Sequence, residues 1–460
     1  MTIGILPLGR STFDVDFANR KLAAMLARLD ATGRAFAGPR ELLFDAAQAQ
    51  AAIAQLRSSG ITRLLILQVT FTDASTAVKA AGDLDVPLAI WAVPEPRLGG
   101  RLRLNAFCGL NLASHALSLN GRGFGWLYAD PETVPGGDID DLLDGGRLSG
   151  HLEGRVAAMP AEPGRAIAAA ISGRRIGRIG QHPEGFDTCA YAPAKLATLA
   201  GVTVDEIGLE RLFETARGVP DADVSAVRAL ADEQLDSLDT VDQAELDRSL
   251  RLKAALSQIG GKGGYDAFAI RCWPETFTEY GGAVCGPVSM MGEERVPCAC
   301  EADVYGALTQ MILQEAAGAP VFLTDLVDVD AADDSAVVWH CGQAPISMLA
   351  EGERAGATIH TNRKMPLLYQ FALKPGRVTL ARVSQAFGRT QMILAGAEML
   401  DRPMAFTGTS GTLRFDSGAK AALDAIIASG LEHHMALAYG DHRAALASVA
   451  AALSIPVLEI

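Results

Sequence analysis

The sequence predicts an α/β protein made of two Rossmann-like parallel-sheet domains followed by a C-terminal, mostly antiparallel, barrel-like β domain. Three observations carry that expectation. Short apolar runs alternate with Ala-rich amphipathic stretches as far as residue 350, the mark of βα units around a parallel sheet. After residue 351 the pattern changes to strand-like segments separated by turns, as in an antiparallel sheet. The chain has 460 residues, 49% of them hydrophobic, enough to build two or three cores.

In the N-terminal block, TIGILPL, ELLFD, RLLILQV and PLAIWAV read as strands, with residues 16–29, 46–59, 73–82 and 107–119 as the helices between them. Positions 131–150 are rich in Gly and Asp and predict an exposed excursion. A helix over about 152–172 follows, and RRIGRIGQHPEGF restarts a strand after Ser172-Gly173, which sets a first domain at 1–173. The second block, 174–350, holds an acidic helical tract at 222–258, the strand YDAFAIRCW, the helix EADVYGALTQMILQEA and the strands APVFLTDLVDV and AVVWHCG. The third, 351–460, contains ATIHTN, LLYQFALKPGRVTLARVSQ, QMILAGAEML and MAFTGTSGTLRF, then a helix, strand, helix, strand series ending in IPVLEI. No repeat of solenoid length and no coiled-coil heptad is visible.

A formal net charge of -14 argues against nucleic acid or an anionic membrane as partner, since both need a basic face. A small molecule is the expected partner. The first residues, MTIGILPLGRSTFDVDFANR, lack a basic segment, a long apolar run and a cleavage site, and no later run approaches the ~20 apolar residues of a membrane helix. Seven cysteines, odd in number and irregularly spaced, fit reduced thiols. Together these features predict a cytoplasmic protein.

Residues able to bind a metal concentrate in the last third: Glu301 opening a helix, Asp325 closing the apolar segment APVFLTD, His340 closing AVVWH, and His433-His434 entering another strand. Strand ends are where open α/β sheets bind ligands. Two carboxylates with imidazole suit a divalent ion such as Mn²⁺, whereas the thiols lack the paired C-x₂-C spacing of a structural zinc site. Each residue also has an ordinary reading: Glu301 as a first-turn acid, Asp325 as one of several loop carboxylates, His340 as a hydrogen-bonded core histidine. Neighbours on a strand face opposite ways, so only one of His433 and His434 is expected to enter a given site.

The segments VPCACEADVYGALTQMI, APVFLTDLVDVDAADDSAVVWHCGQAP and LEHHMALAYGDHRAALASVAAALSIPVLEI resemble the metal-site segments of the L-fucose and L-arabinose isomerases. Upstream, AFCGLNLASHALSLNGRGFGWLYADP, RIGRIGQHPEGFD and YDAFAIRCWPE resemble the fucose-isomerase-like branch. The resemblance implies a metal-dependent aldose–ketose isomerase that shuttles a proton between C1 and C2 of a monosaccharide through an enediolate. It implies Glu301 and Asp325 as metal ligands and as the acid/base pair, His434 as third ligand with His433 in reserve, Mn²⁺ or another divalent ion as cofactor, and a homo-oligomer, trimer or hexamer. His340 would complete the shell or bind a sugar oxygen.

Trp126 in GFGWLYADP and Glu275 in RCWPETF are further candidates for substrate contact, against core packing for the first and a loop carboxylate for the second. Arg363, Lys364 and Arg414 would matter for an anionic sugar. Fucose, arabinose or a 6-modified hexose such as a sulfonated one would present the same C1–C2 end. A sugar-binding protein on a periplasmic-binding-like scaffold, or an epimerase or aldolase using the same intermediate, are the alternative readings.

Overall fold

A computed structural model describes residues 2–156 and 162–460. Strand β1 (Thr2–Leu8) is buried almost throughout, so both its faces must be covered, and the βα alternation supplies the cover. It joins β2 (Ala35–Ala37), β3 (Arg63–Gln68), β4 (Leu88–Ala92) and β5 (Gly125–Tyr128) in a parallel sheet of order β2-β1-β3-β4-β5. Helices α1 (Val15–Asp30), α2 (Ala46–Ser58), α3 (Ser75–Asp83), α4 (Ala106–Leu119) and α5 (Gly136–Asp144) connect or flank these strands. Two expectations change here. The second strand lies at 35–37 rather than at ELLFD, because Gly38, at φ +119 with Ile5 O only 2.4 Å from where a Cβ would sit, turns the chain away and leaves Leu43 a single bridge to Leu8. The excursion at 131–150 contains α5, whose Ile139, Leu142 and Leu143 are buried despite the Gly/Asp-rich composition.

The helix expected over 152–172 is shorter. Arg155–Val156 is a strand, β6, paired with the end of the chain, residues 157–161 lie outside the described residues, and α6 spans Glu162–Ile171. A second parallel sheet, order β11-β10-β7-β8, then forms from β7 (Arg175–Ile179), β8 (Thr203–Ile207), β10 (Ala267–Ile270) and β11 (Cys298–Cys300). Between β7 and β8 lies α7 (Pro193–Ala200). After β8 comes α8 (Leu209–Arg217), and the acidic helical tract at 222–258 then consists of α9 (Asp221–Gln234) and α10 (Gln243–Gly263), separated by β9 (Leu235–Asp236). Helix α11 (Cys285–Glu293) precedes β11, and α12 (Val304–Ala317) follows it.

The remaining strands are β12 (Phe322–Asp330), β13 (Ser335–His340), β14 (Ala355–Thr358), β15 (Leu368–Ala372), β16 (Gly376–Ser384), β17 (Gln391–Met399), β18 (Thr409–Phe415), β19 (His434–Tyr439) and β20 (Pro456–Glu459), with α13 (Ala419–Ser429) and α14 (Arg443–Ala452) among them. They form an 11-stranded sheet that also takes up β6 and β9. Within it β17, β16, β19, β12, β13 and β18 pair antiparallel in turn, and β18 pairs back to β17, which closes a barrel. Helix α12 is buried along most of its length between the second sheet and the barrel, which explains why its apolar residues lie on all sides, with Thr309, Gln310 and Gln314 among the buried ones. No helix among the described residues is long and apolar enough to cross a membrane.

A buried carboxylate is one of the contacts that fasten the N-terminal sheet to the barrel. Asp328 on β12, 2% exposed, accepts from the Glu95 backbone N–H (3.1 Å), Arg97 Nε (2.6 Å) and the Tyr128 hydroxyl (2.5 Å). Burial raises its pKa, opposed by the Arg97 cation. Glu95 in turn accepts from the backbone N–H groups of Arg103, Leu104 and Asn105, fixing the loop that leads into α4. Truncation by Asp328→Ala leaves these donors, one of them charged, without their acceptor. We expect it to cost roughly 3 kcal/mol in urea unfolding; a stability within 0.5 kcal/mol of wild type, roughly the level of an inconsequential surface change, would show that the contact holds nothing together.

Candidate active site

Three structural blocks converge on one cleft. Arg10 and Phe71 come from the strand ends of the N-terminal sheet, Trp273 and Glu301 from the ends of β10 and β11, and Asp325, His340, His360 and His433 from the barrel and its loops.

Contrary to the expectation from the sequence, Glu301 does not open the helix. It follows β11 directly, and Glu301 and Ala302 both adopt left-handed backbone (φ 59 and 56) before Asp303 caps α12 by accepting from Gly306 N–H. Two consecutive non-glycine residues in that region cost about 1–2 kcal/mol each, and the turn they make presents the Glu301 carboxylate to the cleft. Its Oε1 accepts from Trp273 Nε1 at 2.9 Å, and its Oε2 lies 2.9 Å from His433 Nε2 and 3.8 Å from His434 Nε2. Burial favours the neutral acid, but the His433 hydrogen bond, the two imidazoles and the indole N–H outweigh it and pull Glu301 down to about 2.

Asp325 sits inside β12 rather than at its end, with Trp339 and His434 as its cross-strand partners. Directly opposed residues share a face, and His434 Nε2 is 3.5 Å from Asp325 Oδ1. Both atoms are buried and neither makes a hydrogen bond. His434 Nδ1 lies 2.9 Å from Asp303, a carboxylate that can only accept, so Nδ1 carries a proton and, in the neutral ring, Nε2 carries the lone pair; burial lowers the His434 pKa, but the carboxylates of Asp303, Asp325 and Glu301 outweigh it and raise it. Asp303, 0% exposed, is held by the equally buried Arg382 through contacts of 2.6 and 3.1 Å. Burial raises the Asp303 pKa, but Arg382 and His434 bring it well below the ordinary carboxylate range. His340 Nδ1 is 2.8 Å from Leu323 O, so it too donates from Nδ1 and leaves Nε2 bare; burial lowers its pKa, against the pull of Asp325.

Both members of the histidine pair reach Glu301, contrary to the alternation argument. His433 precedes β19, where strand alternation does not apply, and its ring centroid lies 3.9 Å from that of His434. His433 directs Nε2 at Glu301, whereas His434 turns its bare nitrogen to Asp325. Helix α4 fixes the approach to the pair: Asn111 donates to Leu431 O (2.5 Å), His115 Nδ1 contacts Gly430 O (2.8 Å), and Ser114 donates to Ile427 O (3.2 Å).

Donor atoms of Asp325, His340 and His434 all lie within 4.8 Å of one another, as do those of Cys189, Glu301, His433 and His434. Burial pushes the Cys189 thiol far up, which keeps it protonated and a poor ligand. The useful donors are carboxylate oxygen and imidazole nitrogen, a set that suits a divalent ion of the Mn²⁺ or Zn²⁺ kind.

Two expected residues are not brought to the cleft. Trp126 is packed in the N-terminal sheet beside Ile90, and Glu275 is taken up by Arg271 through contacts of 2.6 Å to each oxygen. Sequence reasoning missed Asp303, Arg382, Arg10 and His360. Only Asp303, standing just before an apolar run in the manner of a helix N-cap, carried a local signal.

Residues 4–143 match the family model for the N-terminal domain of fucose/sulfoquinovose isomerases. Over 461 residues, all of this chain and 99% of the relative, the chain is 29% identical to the sulfoquinovose isomerase of Alkalicoccus urumqiensis. Similarity to the enzymes of the same name from Priestia aryabhattai (29% identity, 96% of this chain and 95% of the relative) and Clostridium sp. strain MSTE9 (26%, 97% and 96%) is also end to end. Along its whole length the chain is similar to members of the fucose-isomerase-like family. Its matches to these relatives run through the N-terminal sheet, the second sheet and the barrel alike.

His360, in the cleft wall, accepts from the backbone N–H groups of Asn362 and Arg363 through Nδ1, an arrangement that requires the neutral ring. Burial, reinforced by the Arg363 cation, lowers it to about 3 from an ordinary 6.5. A histidine depressed in the folded state stays neutral while the unfolded chain takes up its proton. Its contribution is therefore intact above pH 6.5 and lost progressively as the pH falls from 6.5 toward 3. The thermal midpoint of wild type is expected to drop more over that window than that of His360→Gln, measured by calorimetry; parallel curves would remove His360 from the account.

Proposed function

We propose that the chain interconverts the aldose and ketose forms of a sulfonated hexose, sulfoquinovose in the first instance, with a divalent ion such as Mn²⁺ held by Glu301, Asp325 and His434. The observation that carries this reading is the pair of buried atoms without hydrogen bonds, Asp325 Oδ1 and His434 Nε2, facing each other at 3.5 Å with Glu301 Oε2 3.8 Å from the same nitrogen. Buried against one another, these atoms cost free energy unless a cation satisfies them together: a proton on Nε2, which the surrounding carboxylates favour, or a metal ion that replaces it. The end-to-end relatives, named as sulfoquinovose isomerases, support the reaction class and the substrate.

Isomerisation moves a hydrogen between C1 and C2 of the open-chain sugar, and a bound divalent ion supplies the Lewis acidity that makes this C–H acidic. The chain's residues do the rest. In this reading Glu301 and Asp325 form the acid/base pair: one carboxylate takes the proton from the carbon beside the carbonyl and returns it to the neighbouring carbon, while the other exchanges the proton of the oxygen. His433 holds Glu301 ionised and aimed through its Nε2–H. Asp303, anchored by Arg382, fixes the His434 tautomer that leaves Nε2 free. Phe71, Trp273 and Trp339 form the apolar walls that exclude water from the exchanging proton. His340 and His433 face the sugar oxygens. A homo-oligomer, trimer or hexamer, and a cytoplasmic setting complete the proposal; free thiols at all seven cysteines agree with a reducing compartment.

Protein purified without chelator is expected to hold near-stoichiometric divalent metal by elemental analysis, with Glu301→Gln and Asp325→Asn losing both metal and ketose formation followed by NMR. Metal-free protein that gains no isomerase activity with any divalent ion would end this reading. Asp303→Asn is expected to weaken metal affinity by roughly 10–100-fold in chelator competition, with Glu301 and Asp325 intact; an unaltered affinity would show that the tautomer is set elsewhere.

A further inference from the structure

Trp273 links two chemically different ends of the cleft. Its indole N–H donates to Glu301 Oε1 at 2.9 Å, and its ring carries two guanidinium groups, Arg363 at 5.5 Å and Arg10 at 5.6 Å from the centroid. The two cations come from unrelated parts of the chain, the end of β1 and the loop between β14 and β15. Arg10 is oriented by Asp73 at 2.9 Å and also lies 5.2 Å over Phe71. Arg363 makes no ion pair among the described residues; its backbone N–H bonds to His360, and its guanidinium is left to the indole and the cleft. Burial, and after it the Arg10 cation, depresses the Arg363 pKa. Of the other cations, Lys364 is exposed and donates to Thr361 O, Arg101 donates to Thr12 O and Asn362 Oδ1 at 3.4 Å and does not line the cleft, and Arg414 pairs with Asp334.

Two partly desolvated guanidinium groups packed against one aromatic ring repel each other, and an anion held by both relieves that repulsion. An arginine fork matches an oxyanion of fixed negative charge, and an uncharged hydroxymethyl group offers it no counter-charge. An open-chain hexose carries its C1–C2 carbonyl end and its C6 substituent at opposite ends, as Trp273 has the carboxylate and the cations on different parts of its ring.

We propose that Arg363, seated on Trp273 beside Arg10, receives the sulfonate at C6 of the sugar and is the residue that selects a sulfonated over a neutral hexose. This inference rests on the isomerase reading for the placement of the C1–C2 end. Arg10, held by Asp73, is the fixed member of the pair, and Arg363 supplies the unpaired charge. Trp273, touching both, sets the distance between the recognised anion and Glu301.

The test is binding and turnover of 6-deoxy-6-sulfoglucose and of glucose by wild type, Arg363→Gln, Arg363→Lys and Lys364→Gln, with metal content measured on each. Expected are binding of the sulfonated sugar by wild type in calorimetry, at least a ten-fold loss in Arg363→Gln, partial recovery in Arg363→Lys, and no change in Lys364→Gln. The preference in kcat/KM for the sulfonated sugar over glucose is expected to fall ten-fold or more in Arg363→Gln, with its metal retained. Equal binding by wild type and Arg363→Gln, or equal losses for both sugars, would overturn the inference, as would wild type that binds no sulfonated sugar. Metal-free wild type that binds the sulfonated sugar through Arg363 and converts nothing would instead overturn the isomerase reading and leave the anion site standing.

Discussion

The buried chain Arg382, Asp303, His434 is the constraint on which the site depends. It joins a barrel strand, the cap of α12 and the first residue of β19, all at 0% or 1% exposure. Burying an ion pair is expensive, and as a contribution to stability it is close to neutral. Its value is directional. Arg382 fixes both oxygens of Asp303, Asp303 fixes the proton on His434 Nδ1, and the other nitrogen is thereby aimed at Asp325, free to take a metal ion in the neutral ring. Glu301 stands two residues before Asp303, so the cap that starts the helix also locates the carboxylate.

Around this chain the cleft is shared by units that could not form it alone. The second sheet contributes Glu301 and Trp273 from adjacent strand ends, the barrel contributes Asp325 and His434 from adjacent strands, and the N-terminal sheet closes the opposite side with Arg10 and Phe71. Asp328 ties the N-terminal sheet to β12, three residues beyond Asp325, so the strand that bears a site carboxylate also bears the fastening between units. Polar contacts from α4 to the turn before β19 serve the same end for the histidine pair.

Much of this was legible in the sequence. The βα alternation announced parallel sheets, the change of period after residue 351 announced antiparallel strands although β12 and β13 of the same barrel precede it, and Glu301, Asp325, His340 and the histidine pair do meet in space. Local errors share a cause: composition was read where contacts decide. Ile139, Leu142 and Leu143 make a helix of a Gly/Asp-rich stretch because a sheet face is there to bury them, and Leu43 yields its place in the sheet because Gly38 turns the backbone.

By itself the sequence determined the residue types and their order: apolar periodicity fixes which elements form, and carboxylates with imidazoles fix what the site can bind. What only the tertiary structure decided is which of those residues touch. Arg382 and Asp303, Asp325 and His434, and Arg10 and Trp273 are each far apart along the chain, and such pairs carry no local pattern. Their meeting depends on strand register and on how separate sheets pack, and both are settled by burying the whole apolar surface at once rather than by any segment's own preference.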